Sequence, residues 1–268
     1  MCTSSCALLK FCLGIATALV ALISIVAIIA LISANSSGVT SRLMDLAIVT
    51  VMHSRHDLTR EWVRSVSSFG LPIFASITAG DKVLASICDD FGVRFVEVPN
   101  DPLGAKHNAA LALCPADRVM LLPSDDFVAP AWVEEVKTTD VPYLYPDRCG
   151  LWDVATDRAC ILSHGEHGIR RFGAGRVIRR DVLDAVGSLW TDEKGRGLDS
   201  DSHARVMAAG FTMTQRSIGA VPVVDVKAGE NLWKFDRWCR GSAVRCSSEV
   251  VMQALRIECR DRLLRLYR

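Results

Sequence analysis

The chain has 268 residues, of which 50% are apolar and 23% are charged, with 31 basic and 30 acidic side chains. This composition excludes a disordered or collagen-like chain, and the near-zero net charge gives no global electrostatic reason to bind nucleic acid. The apolar residues are unevenly distributed, because the first 40 residues contain one charged side chain, Lys10. The sequence therefore predicts a globular body that follows an apolar N-terminal segment.

The apolar segment, residues 11–32, contains no charged side chain. As a helix it is about 33 Å long, which matches the hydrocarbon core of a bilayer. We expect residues 1–43 to form a retained single-span membrane anchor and a short linker, with a slight preference for a cytosolic N-terminus, as in type II proteins. A cleaved signal peptide and a native start at Met44 are the alternatives.

From Leu46 onward, strand and helix patterns alternate. Such alternation is typical of a mostly parallel sheet with helices on both faces, and ligands of such sheets bind beyond the carboxyl ends of the strands. Apolar and β-branched runs predict strands over 46–52, 72–78, 93–98 and 118–122, and apolar residues at helical spacing predict helices over 56–69, 81–91 and 103–114.

The second half has a different pattern. Antiparallel strands are predicted over 143–145 and 150–163, around a turn at 155–157, followed by a strand-to-helix unit over 176–186 and a helix over 200–209.

The ten cysteines include no C-x-x-C pair, so their spacing does not predict a metal site. Cys149 and Cys160 could pair across a hairpin in an oxidising compartment, while isolated buried cysteines are the favoured alternative.

Two adjacent acidic residues, Asp125 and Asp126, follow the fourth predicted strand. Neighbouring carboxylates repel each other, so such a pair needs a cation or hydrogen-bond donors close by, and Mg²⁺ and Mn²⁺ prefer oxygen ligands. The ordinary alternative is that Asp126 caps the helix that begins near Pro130.

Further acidic residues, Asp199 and Asp201, stand where a loop leads into a helix. The helix dipole favours acidic residues there, while the functional alternative is a carboxylate that accepts a proton from an attacking hydroxyl group. Lys106 and Asn108 follow Gly104 in a third run, which could bring the backbone, a cation and an amide to a ligand, or could be an ordinary helix start.

The order of these motifs resembles that of a family-2-like glycosyltransferase with the GT-A fold, over about residues 46–211. The resemblance is carried by the segments TVMHSR (50–55), GAKHNAAL (104–111), PSDD (123–126), GAGRVIRRDVLDAVG (173–187) and GLDSDSHARVMAAGF (197–211). It implies an α/β, GT-A-like mixed sheet with helices on both faces, divided into a nucleotide-binding half (44–127) and an acceptor half (128–268).

The resemblance also implies an activity and a set of site residues. The activity is metal-dependent, inverting transfer of a sugar from a UDP- or GDP-sugar to a glycan, lipid-linked or protein acceptor, with Mn²⁺ or Mg²⁺ as cofactor. Asp199 is the implied base and Asp126, assisted by Asp125, the implied metal ligand, while Ser124 and Leu198 replace acidic residues of the family pattern. The implied donor-binding residues are Thr50, His53, Ser54, Arg55, Lys106, Asn108, Asp125, Arg176 and Arg179.

Acceptor binding is expected in the second half of the chain. Asp201 and Arg205 match the acceptor-side or structural residues of the family. Trp152 and Trp233 have flat rings that suit a sugar, although core packing explains them equally well. Asp225 is a candidate third metal ligand, and Asp81 is the candidate contact to the nucleobase.

Two other functions fit the same sequence. A sugar-1-phosphate nucleotidyltransferase also uses an α/β sheet with acidic metal sites, but it needs a glycine-rich loop after the first strand, and residues 52–55 contain no glycine. A non-catalytic, membrane-anchored binding or scaffold protein with this fold is the other alternative, and Ser124 and Leu198 are the substitutions that favour it.

Overall fold

The structure of the protein, a computed structural model, describes residues 45–163, 172–195, 197–228, 235–239 and 243–267. All of them belong to one compact unit of the chain, which begins at Met44. No helix in the described residues is long and apolar enough to cross a membrane, and the predicted anchor falls outside them.

The described residues form two sheets with helices between and around their strands. The strands are β1 (Leu46–Val51), β2 (Ile73–Thr78), β3 (Arg94–Val98), β4 (Arg118–Leu121), β5 (Asp126–Val128), β6 (Tyr143–Pro146), β7 (Arg148–Asp153), β8 (Arg158–Ser163), β9 (Arg176–Arg179), β10 (Thr214–Arg216), β11 (Val223–Lys227) and β12 (Val244–Cys246). The helices are α1 (His56–Ser67), α2 (Lys82–Phe91), α3 (Leu103–Leu113), α4 (Pro130–Thr138), α5 (Arg180–Val186), α6 (Leu198–Ala208), α7 (Phe235–Trp238), α8 (Ser248–Met252) and α9 (Ile257–Tyr267).

The larger sheet has the strand order β10-β6-β9-β4-β1-β2-β3. The predicted strands β1, β2, β3 and β4 are present and run parallel to one another. All six residues of β1 are buried, as expected of a strand with helices on both faces. The predicted alternation of parallel strands and helices is therefore confirmed.

Helices pack on both faces of this sheet because successive strand side chains point to opposite sides. Ile48 of β1 packs in one core cluster with Trp62 of α1, whereas Val49 packs in the other cluster with Leu111 of α3 and Val206 of α6. The sheet thus separates two apolar cores, and functional side chains are left to its ends.

The second sheet has the order β12-β8-β7-β11-β5. β7 and β8 form the predicted antiparallel hairpin around residues 155–157. The first predicted strand of that group, β6, belongs to the larger sheet instead, where it pairs with β9. Local alternation predicts a strand, but it does not say which partner the strand takes.

The cysteine pairing differs from the hairpin pair considered above. Cys160 forms a disulfide with Cys239, across a sequence separation of 79 residues, and Cys149 is free and buried. The register of β7 and β8 places Leu151, not Cys149, opposite Cys160. The two hairpin cysteines are therefore offset along the strands. Cys160 bonds instead to Cys239, the residue that follows α7.

Candidate active site

The carboxyl edge of the larger sheet, where β1, β2 and β4 end, collects most of the acidic candidates. β4 leads into Ser124 and Asp125, and Asp126 then begins β5. Asp126 does not cap a helix, because the N-cap residue of α4 is Ala129 and Pro130 opens the first turn. The Asp126 carboxylate is therefore not used as a helix cap and is available to bind a ligand.

Two buried strands bring a second carboxylate to Asp126. β5 pairs antiparallel with β11, and the register places Asp225 opposite Asp126. Side chains directly opposite in such a pair lie on the same face, with Cβ atoms about 4.5–5.5 Å apart. The indole of Trp62 fixes this point of β5, because it donates a 2.7 Å hydrogen bond to the Asp126 carbonyl oxygen.

Two cations accompany these carboxylates. Arg55, in the loop after β1, forms a 2.9 Å ion pair with Asp125. Lys227, two residues after Asp225 on β11, forms a 2.5 Å ion pair with it. Both cations are largely buried, so they act in surroundings where charge is poorly screened.

The balance of these charges separates the three carboxylates. Burial and the charges of Asp225 and Asp125 raise the pKa of Asp126 well above its usual range. Burial also raises the pKa of Asp225 to about 6, against the opposing effect of Lys227. For Asp125 the effect of burial is outweighed by Arg55 and Lys227, which hold its pKa below the usual range. The cluster is thus short of positive charge around Asp126 and Asp225.

A divalent cation suits this pair of carboxylates. Oδ1 of Asp225 is buried without a hydrogen-bond partner in the described part of the chain, so its lone pairs are not committed to the protein. The described residues contain no group of three His, Cys, Asp or Glu side chains arranged to hold a metal. Two carboxylates are a common protein contribution where substrate phosphates complete the shell of Mg²⁺, so the residues fit an ion of this class.

The predicted base, Asp199, lies in the first turn of α6. Its side chain is 51% exposed and forms a 3.1 Å ion pair with Arg176 of β9, which is almost fully buried. Partial desolvation raises the pKa of Asp199, while Arg176 and the backbone N–H of Gly173 lower it again. Asp199 is therefore a fixed carboxylate with one side open to a substrate.

Asp199 and the Asp126 pair belong to the same edge of the sheet. β9 runs antiparallel to β4, and the register places Arg176 opposite Leu121, at the end of β4 that leads to Asp125. The charge of Asp199 contributes to the raised pKa of Asp126. The Asp199 carboxylate and the Asp126–Asp225 pair thus lie at the same ends of the strands.

Lys106 of α3, a predicted donor-binding residue, lies inside the protein. Lys106 is fully buried, and its ammonium donates to the Met52 carbonyl oxygen at 2.6 Å and to Thr78 Oγ1 and Asn100 Oδ1 at 2.9 Å. Burial lowers the pKa of Lys106 to about 8. Lys106 joins the ends of β1 and β2, and all three of its acceptors are neutral.

The remaining predicted donor-binding residues of this half lie in β1 and in the loop that follows it. Thr50 is buried within β1 and donates to the Val51 carbonyl oxygen. Ser54 is exposed. Nδ1 of His53 is buried and has no hydrogen-bond partner in the described residues, and burial, together with Arg55, lowers the pKa of this ring.

Asn108, Asp201 and Arg205 all bind one loop, residues 188–195. Asn108 donates to the Trp190 carbonyl oxygen at 2.8 Å, and Arg205 donates to Thr191 Oγ1 at 2.8 Å. Asp201 accepts from the Thr191 N–H at 2.7 Å and from the Lys194 ammonium at 2.6 Å. All three side chains therefore hold the loop 188–195 in place by hydrogen bonds.

The same loop covers the start of α3. The Gly104 N–H donates to the Lys194 carbonyl oxygen at 2.8 Å. A Cβ atom at Gly104 would lie 2.1 Å from the Thr191 carbonyl oxygen, so the close approach of the loop requires glycine there. This glycine accommodates protein backbone, whereas the sequence suggested that it would accommodate a ligand.

Arg179 and Trp152 do not lie where their predicted roles require, whereas Asp81 follows β2 at the carboxyl edge. Arg179 is opposite Arg118 in the register of β9 and β4, which places it at the amino edge, where β1 and β4 begin. Trp152 is fully buried in a core cluster, so its ring face is covered by protein. Asp81 caps α2 and bonds to His56 at 2.9 Å.

Three residues that contact Arg176 or Asp199, namely Gly173, Tyr143 and Ser202, were not among the predicted site residues. Gly173 and Ser202 lie in segments that carry the family resemblance, and Tyr143 does not. Trp233 falls outside the described residues. Tyr143 belongs to no motif and is distant in sequence from Ser202, so a single sequence holds no signal that connects the two.

The fold is similar to solved structures at low sequence identity. A structure of S. aureus TarS 1-349 matches with a TM-score of 0.52 and 11% identity, over 68% of this chain and 60% of that one. The inositol-1-phosphate CTP transferase from T. maritima (TM-score 0.47, 10% identity, 82% and 95% of the two chains) is a further match. The glucosyl-3-phosphoglycerate synthase from Mycobacterium tuberculosis, in complex with Mn²⁺ and UDP-glucose, also matches, with a TM-score of 0.45 and 14% identity over 73% of this chain and 74% of that one.

No protein-family model and no curated protein sequence matches the chain. The structural match to TarS shows the fold alone, and the chain spans 60% of the length of that structure. The fold of the protein is GT-A-like.

Proposed function

We propose that the protein is a metal-dependent, inverting glycosyltransferase that moves a sugar from a UDP- or GDP-sugar to a hydroxyl group of an acceptor. The observation that supports it most is the placement of the Asp126–Asp225 pair and of Asp199 at one edge of the sheet. A pair of carboxylates short of positive charge, next to a separate half-exposed carboxylate, provides both functions that the reaction needs.

Asp126 and Asp225 are the residues that would hold Mn²⁺ or Mg²⁺. A bound ion of this kind supplies positive charge to the diphosphate leaving group. Arg55 and Lys227 flank the pair as fixed cations, and they orient the phosphates by charge-assisted hydrogen bonds.

Asp199 accepts the proton of the acceptor hydroxyl as that oxygen attacks the sugar carbon. The attack displaces the nucleoside diphosphate in one step, so the configuration at the sugar carbon inverts. A partly desolvated carboxylate with a raised pKa is a stronger base than an exposed one. Since the displacement is direct, no second carboxylate is required as a nucleophile.

The N-terminal segment completes the proposal. Residues 11–32 would anchor the protein in a membrane with a single span, in a type II-like orientation. Only a short linker separates this segment from β1. Attachment to a membrane would favour lipid-linked or membrane-bound acceptors.

The test is a donor screen with the 268-residue chain in detergent. UDP- and GDP-sugars are offered with Mn²⁺, with Mg²⁺ and with EDTA, and release of UDP or GDP is measured together with the anomeric configuration of the product by NMR. We expect release that requires the metal and a product of inverted configuration. Retention of configuration would contradict the proposed mechanism.

Variants connect the activity to the proposed site. Asp126→Asn is expected to raise the Mn²⁺ concentration needed for half-maximal rate at least about tenfold, and Asp225→Asn is expected to act in the same direction. Asp181→Asn, at the amino edge, is the control with unchanged metal dependence. Release of pyrophosphate from CTP or UTP and a sugar 1-phosphate, without transfer from any nucleotide sugar, would replace this proposal by a nucleotidyltransferase.

A further inference from the structure

Arg176, at the start of β9, directs its guanidinium toward the protein and not toward solvent. The side chain is 3% exposed. Its Nε donates to the Gly173 carbonyl oxygen at 2.9 Å, and one terminal nitrogen donates to Tyr143 Oη at 2.9 Å and to Ser202 Oγ at 2.7 Å. The other terminal nitrogen donates to Asp199 Oδ1 at 3.1 Å. Four donated hydrogen bonds use most of the five N–H groups of a guanidinium.

Gly173 contacts the same carboxylate. Its backbone N–H donates to Asp199, while its carbonyl oxygen accepts from Arg176. A Cβ atom at position 173 would lie 1.9 Å from Asp199 Oδ1, so a larger residue there would force the carboxylate to move. Glycine therefore allows the carboxylate to occupy its observed position.

We propose that Arg176 and Gly173 form a cradle that positions the Asp199 side chain, and that Arg176 acts on the reaction through Asp199 and not by binding the donor. The proposal rests on the function proposed above for Asp199. It changes the role that the sequence implied for Arg176, which was donor binding, to that of a positioning residue.

The charges around Asp199 support a single dominant contact. Arg176 is the cation in contact with it, and the interactions with Tyr143 and Asp199 raise the pKa of Arg176 despite its burial, so the guanidinium stays charged. Asp126 is the acidic neighbour whose pKa Asp199 affects. His203, on the next turn of α6, lies against the Tyr143 ring with centroids 6.3 Å apart. Removal of the guanidinium would therefore raise the pKa of Asp199.

The main test compares Arg176→Met and Arg176→Lys with the wild type in steady-state transfer. For Arg176→Met we expect kcat to fall about 10²-fold, because a misplaced catalytic group costs about this factor, while the KM of the donor changes less than about threefold. The acidic limb of the kcat–pH profile is expected to move to higher pH. Arg176→Lys keeps a cation, so the acidic limb of its kcat–pH profile should stay close to that of the wild type, while its kcat should stay below the wild-type value.

A matched control separates positioning from general damage. Arg118→Met removes another buried arginine, which pairs with Asp45 and with backbone carbonyl oxygens at the amino edge. We expect Arg118→Met to lower the thermal midpoint without moving the pH profile. A raised donor KM in Arg176→Met, with an unmoved acidic limb, would overturn the proposal and restore donor binding.

The glycine gives a second test in which the arginine is kept. Gly173→Ala is expected to lower kcat at least tenfold, because its Cβ displaces the carboxylate. Gly195→Ala is the matched control, since a Cβ there would meet its nearest atom, Asp101 Oδ1, at an ordinary 3.6 Å. Equal kcat values in Gly173→Ala and the wild type would contradict the cradle.

One measurement separates failure of the cradle from failure of the proposed function. The pKa of the Asp199 carboxyl, followed by NMR titration in the wild type and in Arg176→Met, does not depend on turnover. If no donor is used but the pKa rises in Arg176→Met, the cradle stands and the transferase function fails. If donors are used and the pKa does not change, the cradle fails.

Discussion

The two edges of the larger sheet carry similar residues in different arrangements. At the amino edge Arg118 pairs with Asp45, Arg179 pairs with Asp181, and Arg180 donates to backbone carbonyl oxygens. At the carboxyl edge, Asp126 and Asp225 stand together, and one oxygen of Asp225 lacks a partner in the described residues.

The comparison shows what distinguishes a site from a structural network. Both edges bury charge, so burial alone does not identify function. The amino edge gives each of these arginines a carboxylate or carbonyl oxygen, which stabilises the local fold. The carboxyl edge leaves like charges together at a cost in stability, and perturbed carboxylates of this kind concentrate at functional sites.

The largest expected effect tests the function of the carboxyl edge. Asp199→Asn removes the proposed proton acceptor but keeps the shape of the side chain. We expect kcat to fall about 10³-fold, with little change in the thermal midpoint and in donor affinity, measured by steady-state transfer and by UDP binding. Asp181→Asn, the matched amino-edge variant, should keep the wild-type kcat. Equal losses in both variants would abolish the distinction between the edges.

A smaller effect concerns Asn108, which lies near the carboxyl edge but bonds to the protein. It donates to Ser188 Oγ, to the Trp190 carbonyl oxygen and to Asp192 Oδ1. The amide NH2 shares two N–H groups among these three acceptors, so Asn108→Ala should lower the free energy of unfolding by about 2 kcal/mol, at about 1 kcal/mol for each N–H that loses its acceptor. Urea unfolding measures this loss. Unchanged stability with a raised donor KM would return Asn108 to the nucleotide pocket.

Lys106 is expected to produce a pH-dependent effect on stability. Its pKa is about 8 in the folded protein and 10.5 for an unperturbed lysine, so between these values the unfolded chain binds more protons. The free energy of unfolding should then rise with pH, by up to about 1.4 kcal/mol per unit. Below about pH 8 this group contributes no such rise.

The comparison that isolates this effect is between the wild type and Lys106→Met. The difference between their free energies of unfolding, from urea titrations at several pH values from about 7.5 to 9.5, should change in favour of the wild type as pH rises. A difference independent of pH would show that Lys106 keeps its proton when the protein is folded.

The smallest expected effect is that of Arg179→Met, for which we expect almost no change in the kinetic constants. Arg179 lies at the amino edge and pairs with Asp181 and Asp140. Arg179→Met should leave kcat and the KM of the donor within about twofold of the wild type, because exposed ion pairs contribute little. A tenfold rise in the KM of the donor would show that the amino edge also takes part in donor binding, and would contradict the difference between the two edges.

The sequence predicted the parts of the fold that depend on local pattern. The strands β1 to β4 and the helices between them follow from runs of apolar residues, because β1, β2 and β4 are buried and the edge strand β3 keeps apolar residues at alternate positions. The sheet to which β6 belongs and the bond between Cys160 and Cys239 did not follow, since both depend on partners distant in the chain.

The candidate site was predictable to a similar extent. Asp126 and Asp199 stood out because acidic residues followed a strand or began a helix. The contacts of Asn108, Asp201 and Arg205 with a single loop could not be read from their spacing. Each of these side chains suits a ligand and a backbone equally well, and only the tertiary structure shows which one it meets.

The pairing of β5 with β11 makes the proposed centre sensitive to insertions and deletions. Residues of a strand alternate between faces, so a shift by one position would bring Val224 or Val226 opposite Asp126 and turn Asp225 to the other side. Loss or gain of one residue in the turn before β11 would be enough. Along a lineage, the length of that turn is therefore under the same constraint as the acidic residue itself.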